Sequence, residues 1–347
     1  MSFENCNNKV IKMCEKDLIG KIRNLTFTTN VDAKAGVPKD AFKIGDQVIA
    51  VYENSIYELI FAETIDPKRN ISDLPPMFPK LIFEKGANSN IVSKVLLTAK
   101  TVFQQCYFQD HINCDKILRL TFEILNEILI LYDEVDKYDL KRTKEIENCI
   151  ARKKQEGTFH LPAIVNLETI CKTIYQKADH IEQILMEIIR FFYPNGLSKQ
   201  SHFPQFYEVI VSKHDETSEF AKFVQESLWF MKVIRCLRNG LDHRLDFVKV
   251  ENFMFEDCGK IACPTVSLNH KDTKLDRIAL VEFFKVTKVN LLNIIEITFA
   301  NLASYNVRKD SMPWGIKLIP KKDRKNKFVR YSFWLPLGEE GIYLQNS

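Results

Sequence analysis

Apolar residues recur at intervals of three and four positions along most of the chain after residue 88. This spacing places them on one face of a helix, which is the pattern of an amphipathic helix packed against a core. The stripes predict helices over residues 91–106, 117–135, 167–192, 206–210, 220–234 and 281–302. Because the connections are short, we expect these helices to bury their stripes in one common bundle.

Capping residues and helix breakers predict where the helices begin and end. Asn113 is an expected N-cap for the second helix, which we expect to extend toward Lys154. That extension is charged on most faces, so it either projects from the core or breaks near Asp139. Pro162 is the expected first residue of the third helix. Asp215, Thr217 and Ser218 are the expected capping residues of the helix over residues 220–234.

The first 86 residues have a different pattern, with alternating and β-branched residues. Residues 47–52 and 55–61 predict two strands joined by a hairpin at Glu53-Asn54. The other expectations for this part are a short helix at 3–20, β-type residues at 24–30, a proline-rich loop at 73–79 and a short strand at 82–83. Residues 1–86 are therefore expected to form a small α+β N-terminal module.

Two further β-type regions interrupt and follow the helices. Residues 247–255 and 260–268 alternate around Asp257-Cys258-Gly259, which predicts a hairpin inserted before a last helix that begins near Asp276. Residues 314–319 and 328–335 predict a C-terminal hairpin. The predicted fold is mainly α: a helical bundle with a β-hairpin insertion, a small β-containing N-terminal module and a C-terminal β-hairpin. The expected division of the chain is 1–86, 87–305 and 306–347.

Composition narrows the function classes. The chain of 347 residues has a net charge of only +4, which does not indicate a general nucleic-acid coat but allows local basic patches. Its nine cysteines include no CxxC pair, so we expect reduced, mostly buried thiols and no metal site. The motifs GxxxxGK[ST], GxGxxG, HExxH and GxSxG are absent, so ATPase, dehydrogenase, zinc protease and serine hydrolase activities lack support.

The expected location follows from the absence of membrane and export signals. No run of eighteen or more uncharged apolar residues is present, so no membrane span is expected. The N-terminus is polar and charged where a secretory signal would be apolar. We therefore expect a cytoplasmic protein without a cofactor.

The stretch that carries chemistry is Arg238-Asn239-Gly240-Leu241-Asp242-His243. The apolar stripe of residues 220–234 leads directly to Arg238, which would lie at the edge of a packed seam. Asn239 and His243 are four residues apart and share a helix face, where they could hydrogen-bond directly. Arg238 and His243 are five apart, roughly 140° around a helix axis, so one helix would separate them. Two copies related by dimer symmetry could bring both pairs into one cleft.

This hexapeptide resembles the signature of the HEPN superfamily, an Arg followed four to six residues later by a His, often with Asn or Asp next to the Arg. The resemblance covers the motif and the helical context of residues 88–304. It implies a compact α-helical bundle, and many such proteins are metal-independent ribonucleases of phage defence, toxin–antitoxin and RNA-processing systems. Their catalytic site usually forms where two HEPN domains face each other. The resemblance implies Arg238, Asn239 and His243 as the catalytic residues.

These residue types suit RNA cleavage because the 2′-hydroxyl of RNA can itself attack the neighbouring phosphate. A His can move the protons, an Arg can hold the phosphate and oppose its growing charge, and an Asn can orient either group. Products would be a 2′,3′-cyclic phosphate and a 5′-hydroxyl. We expect a phage-defence or toxin effector that acts on RNA as a homodimer, with an antitoxin or other regulatory partner.

Two other interpretations stay open. Asn-Gly is also a turn signal that can close a helix in the left-handed conformation, which would make Arg238 an inert last-turn cation and Asp242 a solvated or capping residue. Alternatively, the chain is a non-catalytic HEPN-like helical scaffold that binds a protein or nucleotide partner.

A cationic loop lies between the two predicted C-terminal strands. Its basic residues suit contacts with RNA phosphates, and they equally suit solubility or protection of an edge strand. The predicted RNA-binding residues are Lys321, Lys322, Arg324, Lys325 and Lys327. His180 lies amid polar neighbours on the third helix and is expected at the surface.

Overall fold

The computed structural model describes residues 31–71, 74–156, 160–257, 259–308, 313–337 and 341–345. The chain divides into two compact units, residues 1–86 and residues 87–347. The described part is mainly α with small antiparallel sheets. The helix expected at 3–20 and the β-type residues expected at 24–30 lie outside the described residues.

The first unit contains an antiparallel sheet in which four strands follow one another in chain order. Its elements are β1 (Pro38–Ile44), β2 (Gln47–Tyr52), β3 (Ile56–Phe61), the one-turn helix α1 (Ala62–Ile65) and β4 (Met77–Phe83). The predicted hairpin is confirmed, because β2 and β3 pair in register around the Glu53-Asn54 turn. The side chains of Ile49, Val51 and Ile56 are fully buried and form the core of the sheet.

Two strands of this unit differ from the sequence prediction. The expected loop at 73–79 is wrong in its second half, because Met77 begins β4 and Pro79 pairs with Leu59 of β3. Among the described strands, β4 lies at the edge of the sheet and pairs with β3 alone, and a residue without an N–H is tolerated at such an edge. The strand β1 was not predicted, because its mostly exposed residues carry little of the apolar alternation that marks a strand.

Helices dominate the second unit. They are α2 (Asn90–Val92), a π-helical turn (Ser93–Leu97), α3 (Thr98–Val102), α4 (Cys114–Glu156), α5 (Leu167–Phe192), α6 (Phe203–His214), α7 (Glu219–Asp242) and α8 (Leu280–Asn306). Asn113 caps α4 as predicted, since its Oδ1 accepts a hydrogen bond from the Lys116 N–H at 2.9 Å. The helix then continues through Asp139 without a break.

Three helix boundaries differ from the prediction. The third helix, α5, begins at Leu167 instead of Pro162, and its N-cap Asn166 has a left-handed backbone with φ 61°. The first stripe is interrupted by the π-helical turn and ends at Val102, which leaves Cys106 in an exposed turn. The last helix begins at Leu280 instead of Asp276, because the preceding residues form a strand.

Small sheets complete the second unit. Their strands are β5 (Val248–Glu251), β6 (Met254–Phe255), β7 (Ile261–Ala262), β8 (Thr265–His270), β9 (Thr273–Ala279), β10 (Gly315–Leu318), β11 (Tyr331–Leu335) and β12 (Ile342–Leu344). Both predicted hairpins are present, and each is extended by one strand that was not predicted. The strand orders are β5-β8-β9 and β10-β11-β12, and β6 and β7 form a separate short pair. The sheet β5-β8-β9 packs on α7, the helix that carries the Arg–His motif.

A buried ion pair joins the C-terminal sheet to the bundle. Glu296 of α8 is fully buried and accepts a hydrogen bond from Arg330 Nε at 2.8 Å, while Lys94 Nζ lies 3.4 Å from the same carboxylate. The tail at 306–347, predicted as a separate segment, belongs to the second compact unit.

Candidate functional site

The helix α7 is built from its N-cap to place Arg238 at the edge of the core. The Ser218 hydroxyl accepts a hydrogen bond from the Ala221 N–H at 3.2 Å, which satisfies one of the free donors of the first turn. The predicted stripe of residues 220–234 is buried against the bundle. Arg238 is the next position on that stripe, and its side chain is 30% exposed.

The helix continues through the Asn-Gly dipeptide. It ends at Asp242, and the C-cap His243 donates its backbone N–H to the Asn239 carbonyl at 3.0 Å. A left-handed helix end at Asn-Gly, the basis of the inert interpretation, is therefore wrong. The glycine has a packing reason instead, because a Cβ at Gly240 would lie 2.2 Å from Val248 Cγ2 and 3.0 Å from Phe247 Cε2. The start of β5 thus lies directly against α7 within the motif.

Three neighbours hold the Arg238 guanidinium. Its Nη1 donates a hydrogen bond to Asn239 Oδ1 at 2.8 Å. Its Nε lies 2.9 Å from Asp242 Oδ2 and 3.6 Å from Asp179 Oδ2, which are ion pairs without a hydrogen bond from Nε. Among the described residues, Arg238 Nη2 has no hydrogen-bond acceptor. The guanidinium is therefore fixed in position and retains donor capacity.

The two carboxylates beside Arg238 have different environments. Asp179 of α5 is buried, and this burial, with the nearby charge of Glu182, raises its pKa, although Arg238 opposes the shift. Desolvation also acts to raise the pKa of Asp242, but hydrogen bonds from Lys172 and Gln176, together with the Arg238 charge, bring it below its ordinary value. Asp242 is therefore the more firmly ionised of the two.

A second ion pair lies next to the first along the α5–α7 seam. Glu182 is fully buried and is paired with Arg235, and it also lies 3.5 Å from His202 Nδ1. The pairs Asp179–Arg238 and Glu182–Arg235 run in opposite chain directions, so the two helices are antiparallel. From the sequence alone, Glu182 and Glu187 of α5 could approach the motif but could not be placed against it, and Asp179 and Arg235 were not identified. The available signal was two acids three apart on one helix and two arginines three apart on the other.

His243 is exposed, and within the described residues its side chain makes no hydrogen bond or ion pair. The direct hydrogen bond that was possible between the Asn239 and His243 side chains is not formed. The described contacts of one chain do not join Arg238 to His243 either. The motif thus presents a held guanidinium and a free imidazole on different sides of the last turn of α7.

The cationic loop follows β10 and contains a 3₁₀ turn at Lys321–Asp323. The predicted lysines are exposed: Lys321, Lys322, Lys325 and Lys327. Arg324 is half-buried, and its Nε donates a hydrogen bond to the Ile319 carbonyl at 3.0 Å. Its guanidinium therefore supports the loop. Lys325 Nζ donates a hydrogen bond to the Gln345 carbonyl at 3.4 Å and Lys327 Nζ lies over the Phe328 ring, so the described contacts leave Lys321 and Lys322 available to an anion.

The other sequence candidates lie apart from the motif. His180 is exposed as predicted and lies 3.3 Å from Glu127. Of the described cysteines only Cys114 and Cys171 are buried, so the expectation of mostly buried thiols is wrong for this part of the chain. Over the described residues, no three His, Cys, Asp or Glu side chains are grouped so as to hold a metal ion.

Neither the character of the helices nor comparison with known proteins assigns this chain to a functional class. Within the described ranges, none of the helices combines the length and the apolar character that a membrane span requires. No protein-family model matches the chain, and neither a curated protein nor a solved structure is significantly similar to it. Function is therefore inferred from the residues themselves.

Proposed function

We propose that this chain is a metal-independent endoribonuclease of HEPN type, with Arg238, Asn239 and His243 as its catalytic residues. The observation that carries the proposal is the state of Arg238. Its guanidinium is held by Asn239, Asp242 and Asp179, it is partly exposed, and its Nη2 has no acceptor among the described residues. A cation fixed in this way can bind a phosphate with little reorganisation.

The proposed reaction is attack of the RNA 2′-hydroxyl on the adjacent phosphate. His243 moves the protons, since an exposed imidazole can act as both base and acid. Arg238 opposes the negative charge that grows on the phosphate, and Asn239 orients the guanidinium through its Oδ1. The bond to the 5′-oxygen breaks, so the products are a 2′,3′-cyclic phosphate and a 5′-hydroxyl.

The proposed site is shared by two copies of the chain. Five residues of continuous helix place Arg238 and His243 roughly 140° apart around the axis. A twofold axis near the end of α7 would bring the His243 of one copy toward the Arg238 of the other. A ribonuclease of this kind would arrest growth unless restrained, which fits a toxin or phage-defence effector with an antitoxin or other regulatory partner.

One observation favours a second candidate function. The contacts of Arg238 with Asp179 and Asp242 would also serve a helical scaffold that binds a protein or nucleotide and cleaves nothing. In that case Arg238 would matter only for the packing of α5 against α7, and His243 would have no role.

An RNA cleavage assay distinguishes the ribonuclease from the non-catalytic scaffold. The purified 347-residue chain is incubated with mixed RNA in EDTA. We expect cutting by the wild type, and a loss of at least about 100-fold in Arg238→Ala and in His243→Ala. His180→Ala, which removes another exposed histidine, is the matched control and should cut like the wild type. Undiminished cutting by His243→Ala, or intact RNA with every protein, would refute the proposed ribonuclease.

A further inference from the structure

An aromatic pair lies beside the motif and has no part in the proposed reaction. Phe247 follows α7, and His270 ends β8; their ring centroids are 4.2 Å apart with the planes inclined by 40°. The Phe247 carbonyl accepts a hydrogen bond from the Asn269 N–H at 2.9 Å, which fixes the two backbones. Both residues are half-buried, so the pair lies at the surface and not within the core.

The pair lies directly against the last turn of α7. A Cβ placed on Gly240 would be 3.0 Å from Phe247 Cε2, so an edge of the ring lies next to that glycine. Gly240 follows Asn239 and precedes His243 by three residues, a rise of about 4.5 Å along the helix. The aromatic surface is therefore within about one helical turn of two of the three proposed catalytic residues.

The charges around the pair favour an anionic chain. The flanking segments 244–249 and 269–274 carry four exposed cations: Arg244, Lys249, Lys271 and Lys274. They also carry two acids, Asp246 and Asp272, and Asp272 is already paired with Lys232 at 3.3 Å. Cations interleaved with aromatic rings are the usual surface for single-stranded nucleic acid.

We propose that Phe247 and His270 form a stacking subsite for an unpaired nucleobase next to the cleaved phosphate. The preferred substrate is then single-stranded RNA, because a base within a duplex has both faces covered by its neighbours. The position next to the cleaved phosphate rests on the ribonuclease proposed above, whereas the stacking itself is independent of catalysis. Stacking on an aromatic side chain strengthens binding by about tenfold or more per base.

The test measures binding of 2′-O-methyl RNA, which cannot be cleaved by this route. A series of oligonucleotides lacks one base at a time, and each is titrated against the wild type, Phe247→Leu and Phe247→Tyr. Leucine keeps an apolar side chain over Gly240 and removes the ring, whereas tyrosine keeps the ring. Thermal unfolding confirms that each variant is folded.

We expect one position at which loss of the base weakens wild-type binding by about tenfold. Phe247→Leu should bind the intact oligonucleotide about tenfold more weakly and be indifferent to loss of that base, and Phe247→Tyr should behave like the wild type. A duplex of the same sequence should bind more weakly than the single strand.

The outcomes separate the two proposals. Equal sensitivity of the wild type and Phe247→Leu to every missing base overturns the subsite, even if the wild type cleaves RNA. Loss of sensitivity in Phe247→Leu supports the subsite, and if the wild type then fails to cleave RNA, only the ribonuclease is overturned. Failure to bind any oligonucleotide overturns both.

Discussion

At the scale of single residues, the two carboxylates beside Arg238 differ in their other partners. Lys172 Nζ lies 2.9 Å and Gln176 Nε2 lies 2.8 Å from Asp242 Oδ1. These contacts stabilise the Asp242 carboxylate, so its ion pair with Arg238 can weaken when Arg238 binds a phosphate. Asp179 is buried, and within the described part of the chain its carboxylate accepts a side-chain hydrogen bond only from Gln183. Arg238 therefore supplies a larger share of the stabilisation of ionised Asp179 than of ionised Asp242.

The two carboxylates should give opposite pH dependences of stability. Folding raises the pKa of Asp179, so its contribution to the free energy of unfolding is greatest below about pH 4 and is lost as the pH rises to the raised value. Folding lowers the pKa of Asp242, so its contribution is present above about pH 4 and is lost as the pH falls through the lowered value.

Urea unfolding of the wild type, Asp179→Asn and Asp242→Asn over a pH series measures this difference. As the pH rises, the stability advantage of the wild type over Asp179→Asn should shrink, and its advantage over Asp242→Asn should grow. If the stabilities of both variants run parallel to that of the wild type at every pH, the two environments are not as described.

Gly240 is the second residue on which the site depends. Alanine would place a Cβ 2.2 Å from the γ-methyl of Val248, a stiff β-branched side chain, so β5 would have to move. We expect Gly240→Ala to lower the free energy of unfolding by about 1–3 kcal/mol, the usual effect of overpacking.

The matched control is Gly315→Ala, because within the described part of the chain no atom beyond its two neighbours in sequence lies within 4 Å of the added Cβ. It should change stability by less than about 1 kcal/mol. Equal effects of the two substitutions in urea unfolding would show that contact with β5 does not explain the glycine in the motif.

At the scale of elements, the spacing of apolar residues predicted the helices and strands that pack one face against the core. The stripe of α5, the cap of α4 and the β2–β3 hairpin follow from local pattern alone. The strand β9 does not, because Ile278 and its neighbours continue the stripe of the last helix equally well. Its pairing with β8 decides the conformation, and a pairing between segments is not encoded in either one alone.

The residues of the candidate site likewise fall into those that a local motif indicates and those that only the folded chain brings together. Arg238 and His243 were found because they are close in sequence and form a motif. Asp179 was not found, because α5 and α7 meet only in the folded chain and nothing in either helix fixes their register. The pairing of Phe247 with His270 likewise requires β5 and β8 to be in place.

The contact between the C-terminal sheet and α8 can be tested by removing one partner. Arg330→Met leaves the fully buried Glu296 with Lys94 as its one cation among the residues that the structure describes, so we expect a loss of about 3 kcal/mol in the free energy of unfolding. A further Glu296→Gln change should restore part of that loss, since the buried charge is then gone.

The comparison variant is Arg308→Met, which breaks the pair with Asp110, a fully exposed carboxylate. Solvent screens that pair, so its loss should have a much smaller effect in the same urea titration. If the loss from Arg330→Met does not exceed that from Arg308→Met, the buried pair does not hold the tail to the bundle.

At the scale of the whole molecule, a net charge of +4 leaves RNA binding to local surfaces. The proposed contributions are the cations around Phe247 and His270 and the exposed lysines of the loop after β10. The proposed catalysis in turn requires a second copy, because one helix separates the guanidinium from the imidazole.

The most direct test is RNA cleavage by Arg238→Ala, by His243→Ala and by an equimolar mixture of the two, refolded together so that subunits exchange. Each variant alone should be inactive. In mixed dimers the intact Arg238 of one copy faces the intact His243 of the other, so the mixture should recover about a quarter of wild-type cleavage. A mixture as inactive as its parents, beside an active wild type, would contradict a site shared between two copies.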